Sequence, residues 1–228
     1  NCEEGNFVHL FTPEMSAGQV LRALWAYLAN VPAHKLRYPE RMTQSEMRMV
    51  EAAKTAVKTY PLVIDPASPM YYTDILHRAR AESRRRERQG LTGTKLMVVD
   101  YLQKLKYKGR SQDRHIEVTD AMVALTGYAK QQEVAMVIVS SLTEPTGKER
   151  NRAPSIDDLR QSGDIKFEAN TILLLHRELD EETQKLAPEC RLIVGKARSD
   201  ADGSRTIYFD GAMQRFVGQD QFLKGMGR

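Results

Sequence analysis

Apolar positions along this chain change period repeatedly, between short near-continuous runs and helical spacing. Phe7-Val8-His9-Leu10-Phe11-Thr12 is a short apolar-biased run stopped by Pro13, and it predicts a strand. Ser16 can cap the next helix, expected over Ala17 to Asn30 with Val20, Leu21, Leu24 and Leu28 at helical spacing. Pro32 and Pro39 bracket a loop. A second helix is expected over Gln44 to Thr59, with Met47, Val50, Ala53 and Val57 on its inner face. Pro61 ends it, and Leu62-Val63-Ile64-Asp65 reads as a strand. Pro66 and Pro69 make a turn before a helix over Tyr72 to Gln89.

Beyond Gly90 and Gly93, the segment Lys95 to Asp100 is an apolar strand with a carboxylate at its C-terminal end. A polar loop, Lys106 to Arg114, leads to an amphipathic helix over Ile116 to Gln132, with Ile116, Ala121, Leu125, Tyr128 and Ala129 placed for burial. Ala135 to Ser140 and Thr171 to Leu175 are further apolar strands. Between them, Thr143 to Ser155 is expected to be too hydrophilic to pack. Arg191 to Gly195 and Arg205 to Phe209 flank the turn Asp200–Gly203 and predict a hairpin. Strands alternate with helices through the first two thirds. Three strands are almost uninterrupted apolar runs, as expected where helices cover both faces of a parallel sheet. The expectation is an α/β fold: a mostly parallel twisted sheet, helices on both faces, a C-terminal β-hairpin, and one domain over residues 1–228. The chain opens without Met and enters an apolar run at once, so it reads as beginning inside a fold.

Composition narrows the class only a little. The chain has 228 residues, 41% hydrophobic and 28% charged, which suits an ordinary globular protein. A net charge of +4 is compatible with nucleic acid without pointing to it. Two cysteines with no CxxC, and histidines without zinc-like pairing, read as reduced thiols in a reducing compartment. No run reaches the length of a membrane span and no leader opens the chain, so it reads as cytoplasmic, with no membrane partner.

Candidate chemistry is expected where strands of a parallel sheet end, because ligands of such folds sit at the carboxyl edge. Asp100 ends one strand and can hold a magnesium ion through water, or merely cap the next segment; pattern alone leaves both open. Glu14 follows another strand end. It can orient a water for attack on a phosphate, although alone it fits better as an acid in the first turn of a helix. Lys196 and Arg198, two apart in extended chain, can face the same way and stabilise a transferring phosphoryl group; by themselves they also read as solvated side chains of a hairpin. Asp157-Asp158-Leu159-Arg160-Gln161-Ser162-Gly163-Asp164 is compact and polar, and its Arg, Ser and backbone N–H groups could hold nucleic-acid phosphates. The cluster Arg84, Arg85, Arg86 and Arg88 is interrupted by Glu87 and preceded by Glu82, and so reads as a solvated helix face.

Taken in order, these segments resemble the DnaB-type replicative helicases, a branch of the RecA-like ATPases. Phe11-Thr12-Pro13-Glu14-Met15-Ser16-Ala17 resembles the motif whose Glu activates the attacking water. Leu96 to Gln103, LMVVDYLQ, is similar to the family's Walker-B strand, and Asp157 to Ile165, DDLRQSGDI, to its DNA-contacting loop. Val194 to Arg198, VGKAR, resembles the strand whose Lys and Arg reach a neighbouring subunit's ATP site. The resemblance implies a RecA-like fold, ATP with Mg2+ (Asp100 the metal ligand), a homo-hexamer, and translocation on single-stranded DNA during replication. It also implies catalytic roles for Glu14, Asp100, Lys196 and Arg198, and DNA contacts from Arg160, Gln161, Ser162 and Gly163. Primase and a helicase loader are the further partners it suggests.

The sequence also departs from the family. No G-x-x-x-x-G-K-[ST] loop occurs; in the family it would lie just upstream of Asn1, and without it the 228 residues alone are expected not to hydrolyse ATP. The family's primase-binding N-terminal helical domain is not represented either. Ser141 occupies the place of a glutamine that senses the γ-phosphate at the nucleotide site. Lys166 and Phe167 replace a glutamate and a glutamine, Asn170 replaces an aspartate, and Pro13 a leucine. These changes keep a second reading in view: a helicase paralogue without ATPase activity that binds DNA or the helicase.

Overall fold

Phe7, Val8, His9 and Phe11 are all buried, which only a strand covered on both faces achieves. The computed structural model describes residues 2–106, 114–143, 145, 151–159, 165–180, 182–198 and 203–226. In chain order the principal elements are β1 (Phe7–Phe11), α1 (Ala17–Ala29), α2 (Gln44–Lys58), β2 (Leu62–Asp65), α3 (Tyr72–Arg88), β3 (Thr94–Val99), α4 (Arg114–Gln132) and β4 (Ala135–Ile138). They continue with α5 (Ile165–Glu168), β5 (Thr171–His176), β6 (Glu189–Ala197), β7 (Gly203–Asp210), β8 (Arg215–Val217) and α6 (Gln219–Met226). The chain forms two compact units. One comprises residues to Val20, Lys58–Ser141 and Leu159–Ala169; the other comprises Leu21–Val57, Leu142–Asp158 and Asn170 onward.

The first unit is built on a parallel sheet of order β2-β1-β3-β4. Its two inner strands carry the buried apolar residues, including Met97 and Val99 of β3. The outer strand β4 was expected to be covered on both faces like its neighbours. It lies at a sheet edge among the described residues, and Val137 is 51% exposed. Helix α3 buries Ile75 and Ala79, and α4 buries Val118, Ala121, Met122, Leu125 and Tyr128. Ile116, expected in that core, is exposed because it sits in the first turn of α4, ahead of the buried stripe. Arg84, Arg85 and Arg88 of α3 are exposed, as expected of a solvated helix face, and Arg86 is partly buried. Arg85 pairs with Glu82 at 2.7 Å, while Arg86 donates to the Thr92 carbonyl and lies 4.1 Å from the Phe7 ring centroid.

The second unit holds an antiparallel sheet of order β5-β6-β7-β8. The predicted hairpin is β6 and β7; Asp200 of its turn lies outside the described residues. Thr171 to Leu175 had been expected among parallel strands covered on both faces. Instead β5 runs antiparallel to β6, with Ile172 and Leu174 buried and Leu173 and Leu175 exposed, the alternation of a strand covered on one face. Helices α1 and α2 contribute a core of Ala29, Val31, Val50 and Ala53. Met47, predicted for that face, is 40% exposed, one turn before the buried residues begin.

The described part of Thr143–Ser155 packs, contrary to expectation. Asn151 exchanges two hydrogen bonds with the Leu179 backbone, and Arg152 pairs with Asp158 at 2.7 Å. Pro145 and Pro154 line a cavity of about 330 Å³ with Leu175 and Cys190. Polar residues pack here because their hydrogen bonds are met within the same unit. Among the described residues no helix is long and apolar enough to cross a membrane.

His9 is the least ordinary member of the core. It stacks on Phe11 at 4.0 Å between centroids, with Phe7 at 6.0 Å, and neither ring nitrogen has a hydrogen-bond partner among the described residues. Burial lowers its pKa to about 4, outweighing the opposing pull of Asp65 and Glu82; Arg78 adds to the lowering. The unfolded chain takes up this proton near pH 6.5, and the native chain only near pH 4. The unfolded state therefore holds more protons across that window, and native stability should fall as pH drops through it, levelling off below about pH 4. The predicted loss from this group is about 3 kcal/mol at most. Urea denaturation at pH 7 and pH 4.5 of wild type and His9→Phe checks this: the difference between the two proteins should shift with pH, and an equal response in both would contradict it.

Candidate functional site

The parallel register brings three strand ends level. Phe11 of β1 pairs with Asp65 on one side and Val99 on the other. The pairing runs one step further: Thr12 N–H donates to the Asp65 carbonyl and Asp100 N–H to the Phe11 carbonyl, both at 2.9 Å. The residues after β1 and β3 consequently leave the sheet side by side.

After β1 the chain turns sharply. Thr12 is buried, and its Oγ1 accepts the Met15 N–H at 3.2 Å, which leaves Glu14 at the crest and exposed. Ser16 then caps α1 as expected: its Oγ accepts the Gln19 N–H at 3.3 Å, while Gln19 Oε1 accepts the Ser16 N–H at 2.8 Å. After β3, Asp100 is half-buried. Its carboxyl is held above the usual carboxylate range by burial first, and then by the negative charge of Glu14. The two acids predicted from separate stretches of sequence are therefore near enough to act on one another.

Ser141 belongs to the same unit, just beyond β4, and a residue given no role in the sequence reading ties it down. Gln103 Nε2 donates to Ser140 Oγ at 2.8 Å, and Gln103 Oε1 accepts the Ser141 N–H at 3.1 Å. Leu102, fully buried, donates its N–H to the Val139 carbonyl and anchors the turn that carries Gln103. The signal was present as the last letter of LMVVDYLQ, but a glutamine a few residues beyond a strand has no geometry of its own in a sequence.

Lys196 and Arg198 lie in the second unit, at and just beyond the end of β6. Leu173 pairs with Val194 and Ile172 with Lys196, so Gly195 is the extra residue of a β-bulge that resets the alternation of faces just before Lys196. A side chain at 195 would meet Ile156 Cγ2 at 2.7 Å and Leu174 Cδ1 at 3.2 Å. The Arg198 N–H donates to the Asn170 carbonyl at 3.1 Å.

The segment assigned to nucleic acid is bounded on both flanks by well-placed residues. Asp158 accepts from Arg152 and from the Ser155 N–H, which hold its pKa down to about 2. Leu159 is buried on one flank and Ile165 on the other. Arg160, Gln161, Ser162 and Gly163 lie outside the described residues.

Residues 1–218 match the family described as the DnaB-like helicase C terminal domain. The chain belongs to this family. Replicative DNA helicase DnaB from Leifsonia xyli subsp. xyli is 30% identical over 91% of the chain and 44% of its own length. The same protein from Pasteurella multocida is 30% identical over 92% and 44%, and that from Buchnera aphidicola subsp. Acyrthosiphon pisum 28% over 92% and 45%. The chain thus spans less than half the length of these relatives. Two solved structures superpose on 95% of it with a TM-score of 0.84. One is a DnaB-like replicative helicase studied for its interactions with primase, 19% identical with 51% of that chain covered. The other is an ATPase domain, 18% identical with 76% of that chain covered. At such identities the likeness speaks to fold, and the fold is RecA-like, as the motifs implied. The expected architecture, a parallel sheet with helices followed by C-terminal antiparallel strands, is the one observed.

In this DnaB-like domain the mutual influence of the two acids is directly measurable. Replacing Glu14 by Gln removes the like charge, and the Asp100 carboxyl should then titrate at lower pH. Carboxyl carbon chemical shifts followed against pH check this, and an unmoved Asp100 midpoint would show that the two groups do not interact.

Proposed function

We propose that this DnaB-like domain is the motor of a replicative DNA helicase that hydrolyses ATP with magnesium, moves along single-stranded DNA and unwinds the duplex. The proximity of Asp100 and Glu14 at the carboxyl edge of the parallel sheet supports this reading most, because ligands of such sheets sit there. A half-buried carboxylate beside a second one is a pairing whose charge a divalent cation would balance, and oxygen donors suit magnesium. Asp100 would hold that ion, which would supply neutralisation of charge on the transferring phosphoryl group. Glu14, exposed at the same edge, orients the attacking water and takes up its proton. Ser141, held by Gln103, faces the nucleotide site.

The reading extends to a ring of six cytoplasmic subunits in which Lys196 and Arg198 reach a neighbouring subunit's nucleotide and steady its developing charge. Arg160, Gln161, Ser162 and Gly163 follow the phosphates of the single strand. Primase and a helicase loader are the partners that fit this role. A phosphate-cradling G-x-x-x-x-G-K-[ST] does not occur in the 228 residues, so the chain alone is proposed to give no turnover.

One observation favours a second reading, an ATPase-inactive paralogue that binds DNA or the helicase. Ser141 is too short for the reach of a γ-phosphate-sensing glutamine, and the nearby amide of Gln103 is already engaged with Ser140 and Ser141. The coding sequence upstream of Asn1 separates the two readings: a phosphate loop there supports the motor, and none supports the paralogue.

Glu14→Gln in the complete gene product is expected to lower DNA-stimulated ATP hydrolysis by roughly 10²- to 10⁴-fold while leaving the fold intact. Unchanged turnover would remove the motor assignment. Arg160→Ala is expected to weaken single-stranded DNA binding and to make it less salt-dependent, by about one in the slope of log affinity against log salt. Unchanged affinity would remove the DNA assignment.

A further inference from the structure

The short helix α5 follows directly on the segment assigned to DNA, and its orientation is fixed at both ends. Ile165 is 6% exposed and anchors it in the core of the first unit. Glu168 Oε2 accepts a hydrogen bond from Thr126 Oγ1 of α4 at 3.0 Å. Between these anchors Phe167 is 71% exposed, more than any other large apolar side chain among the described residues. Lys166, partly buried, precedes it.

Single exposed apolar residues are common and ordinarily need no explanation. This one differs in three respects. The residues near it on either side are anchored through their side chains, Ile165 by burial and Glu168 by its bond from Thr126, while the ring stays exposed. It stands four residues beyond Gly163, just after the stretch assigned to a polyanion. The residue before it is a cation, and together the two replace a glutamate and a glutamine that the resemblance leads one to expect. The exchange removes a negative charge and supplies both a positive one and an aromatic face. Those are the two ingredients by which proteins grip single strands without reading sequence: cations along the backbone and rings on which bases stack.

We infer that Phe167 stacks on a base of the single-stranded DNA and that Lys166 adds a phosphate contact. The inference rests on the proposed DNA role of Arg160 to Gly163 and deepens it. The arrangement adds a base-facing contact to a site otherwise proposed to follow phosphates. It would suit unpaired bases of any identity, because each offers a π face.

The test measures binding of the complete gene product to labelled oligo(dT), and to an abasic strand of equal length, across a salt series. Phe167→Ala should weaken oligo(dT) binding by roughly 5- to 100-fold, with the salt slope and the abasic affinity unchanged. Phe167→Trp should keep the affinity, and its fluorescence should be quenched by oligo(dT). Lys166→Ala should weaken both strands and lower the salt slope by about one. Unchanged oligo(dT) affinity in Phe167→Ala, or an equal loss on the abasic strand, overturns the stacking. Arg160→Ala separates this from the underlying reading. If it weakens both strands while Phe167→Ala weakens neither, only the stacking is wrong; if wild type binds neither strand, the DNA assignment itself falls.

Discussion

The candidate site depends on one constraint: β1 and β3 lie side by side, parallel, with their C-terminal ends level. Phe11 opposite Val99, continued by the hydrogen bond from Asp100 N–H to the Phe11 carbonyl, delivers Glu14 and Asp100 to the same edge from positions far apart in sequence. Neither acid could be held there by its own local structure. Both strands are locked by burial, since Phe7, Phe11, Met97 and Val99 are fully enclosed. A one-residue slip would turn those side chains toward the opposite face and part the two acids at once. The stability of the sheet and the geometry of the edge are therefore one property.

Much of this was legible beforehand, and the limits are physical. Short apolar runs stopped by Pro or Gly identify strands, and Ser16 with its helical successors identifies a helix start, because these signals act within a few residues. The same local signal occurs at Thr43 and Glu46, which cap α2 reciprocally. What the sequence hides is the partner. Thr171 to His176 is as apolar as β3, and nothing in its composition tells that it pairs antiparallel with β6 and exposes every second side chain. Ile116 and Met47 have the right spacing for burial, yet each sits in the first turn of its helix, ahead of the covered part. The acids of the candidate site were proposed from their motifs, whereas their mutual influence needed the sheet, and the Gln103 clamp and the bulge at Gly195 needed coordinates.

Charge along the first unit is arranged by packing more than by chain-wide balance. The run of arginines on α3 invites a nucleic-acid reading, but Arg85 is spent on Glu82 and Arg86 on the Thr92 carbonyl and the face of Phe7. The modest basicity of the whole chain says little about where an ion would bind. The local setting of individual groups says more: Asp100, half-buried beside a second acid, or Asp158, spanned by Arg152.

Gly195 shows how such a motif is constrained from outside itself. Its backbone does not demand glycine; the methyl of Ile156 and the side chain of Leu174 already fill the space a Cβ would take. The requirement is thus one of shared volume among positions 156, 174 and 195. An alanine at 195 would accordingly need the γ methyl at 156 removed, as in Ile156→Ala, since a valine there keeps the same branch, and a small shift of Leu174. The constraint is therefore steric and three-sided, set by side chains from separate segments of the chain and not by the backbone at 195.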